Sequence, residues 1–193
     1  MKRDLNSLSL ESLGNLFPII LTEYNPEWVK MYSAEKELIL NSCIPGEIVG
    51  INHIGSTAIP GLISKPTIDI LIEIAYETDL PPIINKLKEA GYDSIEKPEN
   101  PPPHLMFAKG YSETGITGQT FHLHLRYKGD WDELIFRDYL KENPEVAGQY
   151  GELKRRLSVI YRNDREQYTN NKTDFIKEIT KKARKELRNK TYF

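Results

Sequence analysis

Isoleucine occupies every second position from Ile68 to Ile74, and Thr67, Asp69, Leu71 and Glu73 fill the alternate places. A period of two puts the isoleucines on one face of a β-strand and Asp69, Leu71 and Glu73 on the other. The run closes a longer stretch, Ile48 to Ile74, that reads as strand, turn, loop, strand. Gly55 and Ser56 end the first strand, and Asp69 sits inside the second. Backbone N–H groups left free at a glycine-led turn point at an anion. A phosphate-bearing ligand is therefore expected at this turn, with Thr57 beside it.

A second alternation lies downstream. Phe121, Leu123, Leu125 and Tyr127 fall on one face of a predicted strand, and His122, His124 and Arg126 on the other. If both strands share a sheet, the apolar faces meet one helix layer. The polar faces then collect carboxylates, imidazoles and a guanidinium on the opposite side. Burying that set without a ligand is costly, so it is expected to line a cleft. His-x-His on a strand puts both rings within reach of one divalent ion, and Asp69 would complete a set of two imidazoles and a carboxylate. The same histidines also suit proton transfer near neutral pH.

Other candidates keep two readings open. His53 either contacts the ligand or braces the turn by a hydrogen bond. Lys65 either reaches a phosphate or is a surface lysine. Lys172 opens the last helix, where a cation opposes the helix dipole and a bound anion would relieve the conflict. Glu73 and His104 read as structural.

The remaining pattern is mixed. Residues 1–15 read as a flexible arm, and residues 16–190 as one domain without repeats. Residues 16–24 look extended, although Pro18 argues against a central strand. Asn25-Pro26 starts a helix that Pro45-Gly46 ends. A second helix begins near Pro81-Pro82 and stops at Gly91, and residues 92–103 read as irregular. Residues 104–109 and 120–127 predict a hairpin whose long, mobile loop carries Gly110, Gly115 and Gly118. Asp130 and Glu133 resemble a capping box. The box precedes the first of three helical stretches; the second opens at Asn143-Pro144, and the third opens at Asp164, is interrupted at 169–171, resumes near Thr173 and is rich in lysine and arginine.

Net charge is −2, so there is no global pull toward nucleic acid, and the cationic last helix reads as a solvated face. The lone Cys43 excludes an internal disulfide framework and fits a reducing compartment. The apolar run 16–21 is too short for a signal core or membrane span. A cytoplasmic location is expected, and oligomeric state stays open.

The segments 53–71, 121–126, 136–140 and 168–176, with YNPEW at 24–28, resemble the GrpB-like family, whose fold is similar to that of nucleotidyltransferases. The resemblance implies an α/β (α+β) domain: a mixed β-sheet with helices packed on one face and a helical C-terminal part. Related domains occur fused to a coenzyme A biosynthetic kinase, which implies nucleotide-like ligands. It also implies a Gly-Ser pair followed by two carboxylates on the next strand, holding Mg²⁺ ions that bridge phosphates. Gly55, Ser56 and Asp69 match, but Leu71 stands at the second carboxylate position. Either His122 and His124 replace carboxylates around Mn²⁺ or Zn²⁺ beside Asp69, or the domain binds a nucleotide without transferring it. Expected roles follow. Asp69, His122 and His124 form the catalytic and metal set. His53, Gly55, Ser56, Thr57, Lys65, Arg126 and Lys172 hold the nucleotide or phosphorylated small molecule. Metal-assisted nucleotidyl or phosphoryl transfer is the first expectation. A non-catalytic nucleotide sensor and a metal-dependent phosphoester hydrolase are the alternatives.

Overall fold

The computed structural model describes residues 9–42, 46–96 and 103–191. Cys43, Pro45, residues 1–8 of the expected arm, and Pro98, Pro101 and Pro102 lie outside the described residues. The helices are α1 (Leu10–Leu16), α2 (Glu27–Ser42), α3 (Leu80–Glu89), α4 (Asp132–Glu142), α5 (Pro144–Ile160), α6 (Arg165–Asn170) and α7 (Thr173–Thr191). The strands are β1 (Ile48–Ile54), β2 (Thr67–Ile74), β3 (Asp93–Ile95), β4 (Leu105–Ser112) and β5 (Gly115–Tyr127). They form one mixed sheet in the order β1-β2-β5-β4-β3, in which β2 and β5 are parallel and the other pairs antiparallel.

The two alternating segments anchor this sheet. β2 and β5 pair in the register Asp69↔His122, Leu71↔His124 and Glu73↔Arg126. Their apolar faces therefore coincide, as the alternation requires. Ile68, Ile70, Ile72, Ile74, Leu123 and Leu125 are fully buried against Trp28 and Ile39 of α2 and Ile83 and Leu87 of α3. Each buried isoleucine contributes roughly 2 kcal/mol. A one-residue slip would turn all four isoleucines out of this core, so the pairing register is strongly determined. The helical C-terminal part lies on the other side of β2. There α5 packs Ala147, Tyr150 and Gly151 against Ile59, Leu62 and Ile63 of the β1–β2 connection.

Several local expectations are corrected. Leu10–Leu16 form a helix capped by Ser9, where an arm was expected. Its Gly14 lies against Asn163, so the helix is fastened to the α5–α6 turn. Leu16 closes this helix, and residues 17–24 run without helix, joining the strands only through the isolated bridge Thr22↔Ser64. Residues 93–95 form a strand inside the expected irregular segment. The long loop is instead a tight hairpin. Ser112 pairs with Gly115, and the strands continue past a bulge at Gly110, where a side chain would strike the Gln119 carbonyl. Glycines that read as loop markers thus serve a bulge and a turn. The capping box does not form. Asp130 and Asp132 both accept hydrogen bonds from Arg184 of α7, and Glu133 pairs with Arg126. Among the described residues no helix is long and apolar enough to cross a membrane.

Candidate functional site

The site begins where β1 stops. Gly55 has φ 69° and ψ −172°, a conformation essentially reserved for glycine. A Cβ there would stand 2.2 Å from Asp69 Oδ2. Glycine is therefore needed twice, for the backbone turn and for the space the carboxylate occupies. Ser56 to Ala58 then form one turn of 3₁₀ helix. Thr57 is buried inside this turn. Its hydroxyl donates to the Thr67 carbonyl at 3.2 Å and meets His53 Nε2 at 3.0 Å. With that proton committed, His53 is the donor to Thr57. Burial, with smaller contributions from Lys141 and Arg137, pushes the imidazole down to about 4 despite the nearby Asp69 charge, which keeps it neutral. His53 also stacks on Tyr32. His53 and Thr57 therefore brace the turn, and neither lines the cavity beside it.

That cavity measures about 190 Å³ and is lined by Gly55, Ser56, Lys65, Thr67, Asp69, His122, Tyr150, Lys154, Tyr168 and Lys172. It brings together β2, β5, the β1–β2 connection, α5, α6 and the start of α7. Of the residues singled out in the sequence, Gly55, Ser56, Lys65, Asp69, His122 and Lys172 converge here. Arg126 does not. It lies over the Trp131 ring at 4.7 Å and pairs with Glu133 at 2.7 Å. Glu73 is buried, accepting from Asn52 and the Gly129 amide.

Asp69 Oδ1 lies 3.3 Å from His122 Nδ1, and His122 Nε2 lies 2.9 Å from the Tyr111 hydroxyl. Burial pushes His122 below its ordinary value, partly opposed by Asp69, so the ring is neutral near pH 7. Burial works to raise Asp69, but the opposing effects, led by the hydrogen bond from His122 and including the Lys65 charge, outweigh it and hold the carboxyl below its ordinary value. A neutral His122 that donates from Nδ1 to Asp69 must accept at Nε2 from Tyr111. Both ring nitrogens are then engaged, and neither offers a lone pair to a metal. His124 sits two residues further along the strand, outside the cavity, and burial pushes it down to about 4. Among the described residues no group of three or more His, Cys, Asp or Glu side chains could hold a metal ion. Asp69, His122 and His124 thus do not assemble into the expected ligand set, because His122 faces Asp69 and Tyr111 instead of a shared centre.

Cationic side chains take that place. Lys172 Nζ lies 4.2 Å from the Tyr168 ring centroid, Lys65 Nζ 5.8 Å from the same ring, and Lys154 Nζ 4.8 Å from the Tyr150 ring. Lys154 also donates to the Ile63 carbonyl. Burial, followed by repulsion from Arg165 and Lys172, pushes Lys65 down to about 7. Burial, then Lys172 and Arg155, does the same for Lys154, to about 7. Burial and Arg165 bring Lys172 to about 8, opposed by Asp69. Tyr150 of α5 lines the cavity beside Ser56 of the turn. Lys154, Tyr150, Tyr168 and Arg165 escaped the sequence reading. One signal was present: Lys154 falls on the buried stripe of α5 with Ala147, Tyr150 and Leu157, where a lysine is out of place.

These lysines set a pH dependence. Their folded values lie near 7 to 8, below the ordinary 10.5, so between these limits the unfolded chain binds more protons. Stability of the ligand-free protein is therefore expected to rise from pH 6.5 to pH 9. Thermal melts across that range check it; a flat or falling melting temperature would contradict the buried cations.

A larger depression, about 670 Å³, runs along α7 beside Asp132, lined mainly by exposed lysines and arginines. Its Arg184 is already paired with Asp130 and Asp132.

Comparison with known proteins places this geometry. The Glutamate-rich protein GrpB of Alkalihalophilus pseudofirmus is 38% identical over 165 residues, spanning 83% of this chain and 93% of that protein. YqkA of Bacillus subtilis is 32% identical over 182 residues, spanning 91% of this chain but only 51% of that protein, so the chain covers about half of that relative's length. The crystal structure of the conserved protein GrpB from Enterococcus faecalis superposes with a TM-score of 0.74 at 29% identity, covering 87% of this chain and 99% of that one. The family model described as GrpB protein matches residues 18–182, a span that holds β1 to β5 and every residue of the cavity, and the chain belongs to that family.

Proposed function

We propose that the cavity binds the phosphate group of a nucleotide or phosphorylated small molecule. The observation that supports this reading is the convergence of Lys65, Lys154 and Lys172 on a pocket whose lining holds one carboxylate, Asp69. Partly buried ammonium groups that repel one another are costly to keep without a partner. A dianionic phosphate is the partner that offsets most of that cost, and the Ser56 turn suits its remaining oxygens. The volume suits a phosphate or pyrophosphate, whereas whole drug-sized ligands occupy roughly 300 Å³ or more. The organic portion of the ligand then extends outside.

A thermal-shift panel tests this, with inorganic phosphate, pyrophosphate, ATP and GTP against chloride, in buffer containing Mg²⁺ and Mn²⁺. A ligand present at a hundredfold excess over its Kd stabilises by about 2.7 kcal/mol, or roughly 5–10 °C for a chain of this size. No shift with any phosphate compound would sink the reading.

Transfer is the second reading, favoured by Asp69. An ionised carboxylate facing the ammonium groups is placed to accept the proton of an attacking hydroxyl. That hydroxyl oxygen would bond phosphorus as the bond to the departing phosphate or nucleotide breaks, and the lysines would offset the charge left on the leaving group. ATP turnover in the presence of hydroxyl acceptors, abolished by Asp69→Asn, would support it. Unchanged turnover in that variant would exclude Asp69 as the base.

A further inference from the structure

The sequence resemblance implies two carboxylates holding divalent ions that bridge the phosphates. The residues do not supply such a centre. Leu71, where the second carboxylate is expected, is fully buried. It pairs with His124 in the sheet, and His124 lies outside the cavity. His122 contacts Asp69 at 3.3 Å and Tyr111 at 2.9 Å through its two ring nitrogens. Asp69 Oδ2 lies tight against Gly55, with room there for no more than hydrogen on the glycine. One carboxylate therefore remains, already holding His122. Opposite it stand the ammonium groups of Lys65, Lys154 and Lys172, each above or beside a tyrosine ring that orients it.

We infer that in this chain the lysine trio replaces the divalent metal, so that the phosphate charge is met by fixed ammonium groups and its binding is metal-independent. Physically, the substitution is reasonable. A metal site needs several anionic or neutral donors converging on one point, and three cations beside a single carboxylate would repel an incoming dication. The same cations attract a phosphate directly, as point charges with rotatable donors. Tyr150 and Tyr168 line the cavity and present ring faces that tolerate the positive charge.

The inference rests on the phosphate-binding reading above, and its test separates the two. Inorganic phosphate is titrated into the full chain by calorimetry at pH 6.5, once with EDTA and once with Mg²⁺ plus Mn²⁺. Asp69→Asn, which keeps the acceptor for His122 but removes the charge, is titrated alongside, with a melt to confirm folding. Metal-independent binding predicts equal affinity in both buffers and retention of phosphate by D69N within roughly tenfold. Binding that needs the metal ions, or that disappears in folded D69N, overturns the inference and leaves phosphate recognition standing. Absence of binding in every buffer overturns both. Should D69N fail to fold, the chelator comparison decides alone.

Discussion

Replacing Gly55 with alanine is expected to cost about 3 kcal/mol or more of folding stability and to remove phosphate binding. Two effects add at this position. The backbone conformation, φ 69° and ψ −172°, is one that a side chain strains by about 1–3 kcal/mol. The new methyl would also sit 2.2 Å from Asp69 Oδ2 and 2.9 Å from its Cγ, distances no real contact shows. The carboxylate must swing away, which breaks its hydrogen bond to His122, or the turn must move and take Ser56 with it. Either way the floor of the cavity is lost. Urea unfolding with phosphate calorimetry checks this. A stability change below about 1 kcal/mol would mean that the turn relaxes freely and that Gly55 is not the anchor described.

Lys172→Met is expected to move function and stability in opposite directions. Its ammonium lies over the Tyr168 ring at 4.2 Å, facing the cavity with Lys65. A charged hydrogen bond to a phosphate contributes about 1.5–3 kcal/mol, so the variant should bind phosphate roughly tenfold to hundredfold more weakly. Without ligand, the same change removes a cation that Lys65 and Lys154 both feel as repulsive. Methionine keeps the length and the contact with the tyrosine ring. The melting temperature of the free protein should not fall, and its rise between pH 6.5 and pH 9 should flatten. A variant that binds phosphate normally would remove Lys172 from the site. One that melts much earlier would mark it as a structural lysine.

The sheet was legible because it rests on a two-residue period. The alternation at 68–74 and 121–127 determined which side chains share the apolar faces, whereas the parallel pairing of the two strands is seen only in the fold. The Gly-Ser turn and Asp69 behind it also followed from local order, whereas Lys65 and Lys172 kept two readings until the fold brought both to the cavity. Less was legible wherever one residue type serves two ends. Gly110, Gly115 and Gly118 mark a flexible loop as readily as a bulged hairpin, and only pairing across β4 and β5 distinguishes them. Asp130 and Glu133 match a helix cap, but Arg184, more than fifty residues downstream, takes Asp130 for its own partner.

The sequence by itself therefore determined the sheet faces, the turn and its acidic strand, since those depend on neighbours a few residues apart. Only the tertiary structure decided what Asp69 faces. On a strand, His122 and His124 share a side, but sharing a side does not make them converge. Tyr111, on the neighbouring strand β4, engages the second ring nitrogen of His122, while α5 and α6 bring Lys154 and Tyr168 to the cavity from positions about 85 to 100 residues beyond Asp69. The charge that completes the site comes from helices packed over the turn, and packing over such separations leaves no periodic trace in the chain.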